Sequence, residues 1–397
     1  MKIGIFSDSY RPYVSGVVLS IETFSRELAQ LGHEIFIFAP DYPQVRGEKE
    51  RNIFRFPSFH TPINPEFYIA LPFFWEARRH ASRIGIELIH VHSPFMLGQV
   101  GVNLARYLDI PVVFTYHTLY DQYIHYAPLA GQLTKKGMIK YATNFCNRCD
   151  LVITPTGVIK EMIQEQGVKK PVIVIPTGIY PERFQAGDPN FLNKHFGISP
   201  HKKVLLFVGR IGKEKNLTFL LRAFAIIAKQ EKDAVLVMVG SGPEEKILQY
   251  LAMDLGVEDQ VVFTGKLAPE TIAGAYRSAD IFVFPSVTET QGIVLVEAMA
   301  AGLPVVAKAA YGSLAMVDDG VTGYLCQGDE HEFAAKTLSI LNDPELKMRM
   351  SEAALRKAEN LSADKMALRM ERAYKALLAG NHELLWQMEE EGCVKKH

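Results

Sequence analysis

Short apolar runs alternate with longer amphipathic stretches along the whole chain. Lys2–Phe6 leads into a helical pattern over 16–31 and then an apolar run at 34–38. Leu88–Val91, Val112–Thr115, Leu151–Thr154 and 171–175 continue the series, each near a helical pattern. Runs this short and this continuously apolar suit strands covered on both faces, as in a parallel sheet between helical layers. A second series follows at 204–208, Ala234–Val239, 260–264, Ile281–Phe284 and 304–307. Helical stretches at 217–229, 244–255, 268–278 and 293–301 separate its members. Between the two series, 176–181 carries Pro and Gly with little periodicity and reads as a linker. The pattern predicts an α/β chain of two doubly wound parallel-sheet domains, over 1–178 and 179–369. Ligands of such sheets bind at the C-terminal strand ends, here expected in the cleft between the domains. From about Ser362 the tail is an amphipathic helical pattern, and 370–397 is expected to complete the first domain.

Composition narrows the class. The 397 residues are 48% apolar and 22% charged, as in a folded chain of two domains rather than a disordered one. The formal net charge of -1 supplies no global field toward nucleic acid or an anionic membrane, so any such attraction needs a local patch. Nucleic acid is not an expected partner. The first strand meets Asp8 too early for a signal-peptide core. No apolar run approaches the ~20 residues that cross a bilayer. The expectation is a cytoplasmic protein, peripheral on the inner face of the cell membrane if it meets one. Cys146 and Cys149 form a lone C-x-x-C that Cys326 and Cys393 do not extend into a metal or redox set. Both are expected to be structural, on a helix running into the strand at Leu151.

Candidate chemistry follows two strands of the second series. The run 204–208 ends in Gly209-Arg210, with Lys215 further along the loop. A glycine, a planar guanidinium fork and a compact ammonium after a strand suit a diphosphate. Taken alone, they suit an ordinary basic surface loop equally well. Ile281–Phe284 leads into Pro285-Ser286-Val287-Thr288-Glu289-Thr290-Gln291-Gly292, then a helix with Ile293, Val294 and Glu297. Gly292 admits close backbone approach, and the first amides of the helix point outward at its N-terminus, which suits a phosphate. Glu289 and Glu297 would repel a phosphate, but as hydrogen-bond acceptors they suit sugar hydroxyls.

The Gly209-Arg210…Lys215 loop together with the Glu289-x7-Glu297 pair resembles glycosyltransferase family 4, the large retaining family that includes sucrose-phosphate synthase and phosphatidylinositol mannosyltransferase. The resemblance implies the GT-B fold, two Rossmann-like domains. It implies that Arg210 and Lys215 hold the donor diphosphate, Glu289 the hydroxyls of the transferred sugar, and Glu297 the ribose. The Gly292, Ile293 and Val294 amides take the phosphate in this likeness, with Gln291 in the same donor loop. Gly16 matches a glycine loop that approaches the donor from the first domain, with Ser15 where the family often has another glycine. His117 matches the histidine beside the reacting sugar and joins Arg210, Lys215 and Glu289 in the implied catalytic set. His92, at another strand end in His90-Val91-His92-Ser93-Pro94, reads as structural. No Asp-x-Asp occurs, so no catalytic metal is expected; the resemblance implies no cofactor either, the sugar nucleotide being a substrate. In this likeness the basic pair and the helix N-terminus are expected to stabilise charge on the departing nucleoside diphosphate instead. A front-face displacement is what the resemblance implies.

Within the family, Thr115-Tyr116-His117-Thr118-Leu119-Tyr120-Asp121-Gln122-Tyr123-Ile124-His125-Tyr126 is similar to the bacterial enzymes that glucosylate diacylglycerol, as are Glu289-Thr290-Gln291-Gly292 and the opening Ile5-Phe6-Ser7-Asp8-Ser9-Tyr10. That likeness implies UDP-glucose as donor, diacylglycerol as acceptor and an anionic membrane as partner. Tyr120 and Tyr123 are then acceptor-side candidates. Phe73-Phe74-Trp75, followed by Arg78, Arg79, His80 and Arg83, sets aromatics beside a basic helical face, the pattern of an interfacial helix. Lys135, Lys136 and Lys140 form a second basic group. The plain alternative is a core-facing aromatic stripe with a solvated charged face. Other readings keep the fold but change the donor, to GDP-mannose or UDP-GlcNAc, or the acceptor, to a soluble molecule, a glycan or phosphatidylinositol. A dehydrogenase fits poorly, because Gly240-Ser241-Gly242-Pro243-Glu244-Glu245 lacks the third glycine of its fingerprint. A non-catalytic sensor would not need His117, Arg210, Lys215 and Glu289 together.

Overall fold

The computed structural model describes residues 1–45, 51–60, 68–120 and 135–391. The chain forms two compact units: Met1–Gly178 with the chain from Ala363 onward, and Ile179–Ser362.

In the first unit, β1 (Lys2–Phe6), α1 (Gly16–Gln30), β2 (Glu34–Pro40) and β3 (Ile53–Phe56) come first. A short antiparallel pair, β4 (Ser58–His60) and β5 (Tyr68–Ala70), follows. Next come α2 (Phe74–Ile84), β6 (Leu88–Val91), α3 (Met96–Leu108), β7 (Val112–Thr115) and α4 (Lys135–Cys146). The series ends with β8 (Leu151–Thr154), α5 (Gly157–Glu165) and β9 (Val172–Val174). The main sheet runs β3-β2-β1-β6-β7-β8-β9 with parallel pairings. Its central strands are buried on both faces, and the Phe6 and Phe38 rings stack 4.2 Å apart. Helix α1 starts because the Ser15 hydroxyl accepts from the Val18 amide, and Val18, Ile21, Phe24 and Leu28 turn one face into the core.

The second unit opens with α6 (Pro181–Gln185) and α7 (Phe191–Phe196). Then come β10 (Lys203–Val208), α8 (Leu217–Gln230), β11 (Ala234–Val239), α9 (Glu245–Asp254), β12 (Val261–Gly265) and α10 (Ile272–Arg277). They are followed by β13 (Ile281–Phe284), α11 (Ile293–Ala300), β14 (Val305–Lys308), α12 (Tyr311–Met316), β15 (Gly323–Cys326), α13 (Glu330–Leu341) and α14 (Pro344–Asn360). The sheet order is β12-β11-β10-β13-β14-β15, all parallel. In each sheet the winding reverses once, between β1 and β6 and between β10 and β13. Behind β10 and β11 the loop backbones nearly touch: a Cβ on Gly240, at φ +135°, would sit 1.9 Å from the Gly209 carbonyl oxygen. The unit also closes on itself, since the Ile179 amide donates to the Leu361 carbonyl at 3.1 Å.

The chain then enters α15 (Ala363–Leu378) and α16 (His382–Glu391), which belong to the first unit. The second unit therefore ends at Ser362 rather than at 369. The reason is the apolar face of α15, which starts at once with Ala363, Met366, Ala367, Met370, Ala373 and Tyr374, all buried. Polar contacts fasten both helices: His33 Nε2 lies 2.9 Å from Glu371 Oε1 on α15, and the Lys160 ammonium donates to the Glu389 carbonyl on α16 at 2.6 Å. Tyr374, 1% exposed, places its hydroxyl 2.6 Å from His90 Nδ1. Cys146 ends α4 and Cys149 lies in the turn beyond it, both free and buried. Burial pushes the Cys146 thiol up to about 12 and the Cys149 thiol higher still, so neither is a ready thiolate. Among the described residues no helix is long and apolar enough to cross a membrane.

Tyr374→Phe removes the hydroxyl without opening a cavity and leaves His90 Nδ1 without that partner. The expected cost is about 1–3 kcal/mol, read from the urea midpoint of the purified chain. An unchanged midpoint would show that this bond does not hold α15 in place.

Candidate active site

In the second unit, the loops behind β10 and β13 leave the point where the sheet winding reverses, the usual ligand crevice of an open α/β sheet. The β10 loop is anchored before it turns outward: the Ile211 amide donates to the Ser241 carbonyl at 3.0 Å, and the Glu244 amide to the Ile211 carbonyl at 3.2 Å. Arg210 is exposed. A tight turn over Lys213–Lys215 ends at Asn216, which takes a left-handed φ of 54°. The Asn216 side-chain amide donates to the Pro285 carbonyl at 3.3 Å, and the Thr288 hydroxyl to the Glu214 carbonyl at 3.4 Å. These bonds pin one loop to the other. At their junction the Lys215 ammonium pairs with Glu289 Oε1, and the Ser286 hydroxyl donates to the same oxygen at 3.1 Å. The Glu289 carbonyl is occupied too, accepting from the Gly312 amide at 2.8 Å.

Gly292 precedes α11 at φ +76°, where an added Cβ would press on Leu295 Cδ1 at 2.9 Å. The amides of Ile293 and Val294 belong to the first helical turn, which contains no acidic residue. Gln291, just before them, is buried. Glu297 sits half-buried one turn on, with Oε2 accepting from the Tyr276 hydroxyl at 2.8 Å. Burial raises its pKa, against the Tyr276 hydrogen bond and the nearby Arg183 cation, which both lower it. Tyr276 is itself fully buried on α10, packed against Phe184 and Phe282. Thus the structure brings Lys215 to Glu289, and adds Ser286, Asn216 and Tyr276, which no motif had singled out.

In the first unit, His117 stands just past the end of β7, with Nε2 2.8 Å from His92 Nδ1 and the two rings stacked at 5.1 Å. His92, just past β6, is 2% exposed, and its Nε2 has no hydrogen-bond partner among the described residues. The His90 ring lies 4.1 Å from that of His92, and its Nε2 is 2.7 Å from the Thr115 hydroxyl. Burial drives His90 and His117 down to about 3 and His92 well below the usual imidazole range, so all three rings are neutral near pH 7. Asp8, past β1, accepts from the Leu97 amide at 2.8 Å and the Ser93 hydroxyl at 2.5 Å, capping α3. Burial raises its pKa against those bonds. Gly16 is the exposed first residue of α1, and Ser15 serves as the cap described above.

Tyr120 is buried, edge-on to Tyr116 and Phe95, so it presents packing rather than an open surface. Tyr123 lies outside the described residues. On α2, Trp75, Arg79 and Arg83 recur every four residues on one exposed face, with Trp75 71% and Phe73 61% exposed. Phe74 is half-buried, edge-on to Tyr107, and the Arg78 guanidinium lies 4.1 Å from the Tyr107 ring centroid and 5.4 Å from that of Trp75. Lys135, Lys136 and Lys140 are exposed on α4.

The architecture matches the solved structure of Anabaena HepE in complex with UDP, with a TM-score of 0.78 and 20% identity over 95% of this chain and 100% of that one. Two parallel-sheet units of this kind, with a basic and acidic loop pair behind a winding reversal, are those of a GT-B glycosyltransferase. The chain belongs to glycosyltransferase family 4: residues 14–183 match the Glycosyltransferase Family 4 model, and residues 188–357 match Glycosyl transferases group 1. Among its relatives is an alpha-monoglucosyldiacylglycerol synthase of Streptococcus pneumoniae, 37% identical over 86% of this chain and 78% of that protein. Another, of the same description and from Acholeplasma laidlawii, is 28% identical over 97% of this chain and 99% of that protein.

The neutral histidines imply a pH signature. The folded chain keeps His90 and His117 unprotonated down to about 3, whereas the unfolded chain protonates them near 6.5. The unfolded state therefore binds more protons across that window, and stability falls as pH drops below 6.5, by up to ~1.4 kcal/mol per pH unit for each ring. The raised pKa values of Asp8 and Glu297 act in the opposite sense. The informative quantity is the urea midpoint difference between pH 7 and pH 5, expected to shrink in His90→Asn; an equal acid loss in both proteins would assign the titration to other groups.

Proposed function

We propose that this enzyme moves glucose from UDP-glucose to diacylglycerol with retention of configuration, making α-monoglucosyldiacylglycerol for membrane glycolipids. The observation that carries the chemistry is the pairing of Lys215 with Glu289 beside the N-terminus of α11. The match along most of the chain to two alpha-monoglucosyldiacylglycerol synthases supports the donor and acceptor. In this reading the diphosphate takes Lys215, Arg210 and the amides of Gly292, Ile293 and Val294, with Gln291 and Gly16 as further donor-loop contacts. Glu289, released from Lys215, then accepts from hydroxyls of the sugar. Glu297 takes the ribose, held by Tyr276. His117 attends the transferred sugar.

The acceptor hydroxyl attacks the anomeric carbon from the face that the diphosphate leaves. The carbon–oxygen bond to phosphate breaks as the new glycosidic bond forms, and a leaving phosphate oxygen receives the hydroxyl proton. Negative charge grows on the diphosphate, where Lys215, Arg210 and the helix amides oppose it. Neither a metal nor a cofactor has a role in this scheme. Phe73 and Trp75 beside Arg79 and Arg83 support peripheral contact with the anionic inner face of the cell membrane, each basic residue near that surface contributing ~1 kcal/mol. Lys135, Lys136 and Lys140 add to the attraction.

The test is radiolabelled UDP-glucose with diacylglycerol in anionic vesicles, followed by organic extraction. An α-glucoside in the organic phase, formed equally well with EDTA present, is expected; donor hydrolysis without lipid product would keep the transferase and remove the lipid acceptor. Lys215→Ala should lose about 10²–10³-fold in turnover with its circular dichroism unchanged. Near-normal turnover would take Lys215 out of the site. Replacing Arg79 and Arg83 by Glu should weaken flotation with anionic vesicles about tenfold or more. Equal flotation of both proteins would count against the α2 face as the membrane contact.

A further inference from the structure

We infer that His92 is a positioning residue for His117: its Nδ1–H donates to His117 Nε2 and fixes His117 as the tautomer with its proton on Nδ1. The inference rests on reading His117 as the histidine that attends the transferred sugar.

The contact itself is 2.8 Å, with the rings stacked at 5.1 Å, and it allows two proton arrangements. If His117 donated from Nε2–H, His92 would accept at Nδ1 and carry its own proton on Nε2. That nitrogen is buried and has no partner among the described residues, so an N–H donor would be stranded there. If His92 donates, its Nε2 is a bare acceptor, and buried structures tolerate an unpaired acceptor more readily than an unpaired N–H. A protonated His92 would place an unpaired charge in the same dry spot, and burial disfavours it.

The surroundings hold His92 in place. His90 packs 4.1 Å away, and both its nitrogens are engaged, Nδ1 with Tyr374 and Nε2 with Thr115. His90 therefore walls the His92 ring without competing for its proton. The consequence falls on His117, whose ring is set by the bond at Nε2 while Nδ1–H becomes a donor toward oxygen. The opposite tautomer would turn that atom into an acceptor and reverse its preference among sugar oxygens.

Three variants and two readouts test this. His92→Asn keeps an amide N–H near the Nδ1 position and omits the stranded nitrogen; His92→Leu removes the donor at similar volume; His117→Ala checks the reading beneath. Nitrogen-15 NMR of the histidines reports the His117 tautomer without any need for activity. We expect Nδ1–H on His117 in the parent and in His92→Asn, and a tautomer mixture in His92→Leu. With UDP-glucose and diacylglycerol vesicles, kcat of His92→Leu should fall about tenfold or more at little-changed donor KM, with His92→Asn close to the parent. An Nε2–H tautomer in the parent protein overturns the inference. So does full kcat in His92→Leu beside an inactive His117→Ala, or equal loss in His92→Leu and His92→Asn with both folded. Activity retained in His117→Ala would instead defeat the reading of His117, and the spectra would still decide the tautomer.

Discussion

A parallel sheet cannot turn back by a hairpin, so each strand must be followed by a crossover on one face or the other. Where successive crossovers change direction, two neighbouring strands send their following loops apart, and the strand ends between them stay uncovered. The second unit reverses between β10 and β13. That single topological fact makes Lys215 and Glu289 neighbours although 74 positions separate them in the chain. The loops support the pair: Asn216 and Thr288 stitch backbone to side chain, and Gly240 lets its loop backbone come close against that of Gly209. The pair sets an ammonium against a carboxylate, a few residues before a helix end that favours anions. The loops hold this arrangement ready-made, before any ligand arrives.

The first unit reverses between β1 and β6, and polar groups gather there as well. Asp8 caps α3, and His90, His92 and His117 pack against one another with a tyrosine from α15 at the far end. Burial keeps the three imidazoles neutral near pH 7, so what distinguishes them is where each carries its proton. Helix α15 therefore does more than bury its apolar face. It supplies the hydroxyl that occupies one nitrogen of His90.

Much of this was legible in the residues because buried parallel strands demand uninterrupted apolar runs. Val112–Thr115, Leu151–Thr154, Ala234–Val239 and Ile281–Phe284 are found where the runs lie. β3, β4, β5 and β15 were not anticipated: they are three or four residues long and partly exposed, so their composition does not separate them from loops. Lys215 and Glu289 stood out by residue type and motif, but their contact did not, since pairing across crossovers leaves no local trace. Tyr276 was hidden for another reason. A buried tyrosine on a helix reads as core until its hydroxyl is seen on Glu297. Ser15, which stands where the family often has another glycine, is the cap that begins α1.

The second unit begins and ends at one place, with Ile179 hydrogen-bonded to Leu361. A segment whose two ends touch imposes almost no loop-closure cost on the chain that hosts it, whatever its internal length. It also keeps its own sheet, core and paired loops. Residues 179–362 are in that sense a cassette, inserted through a single doorway between β9 and α15. One such cassette can be exchanged for another without re-threading the host sheet, so the half that carries Lys215 and Glu289 is free to diverge while the half that carries His117 stays as it is.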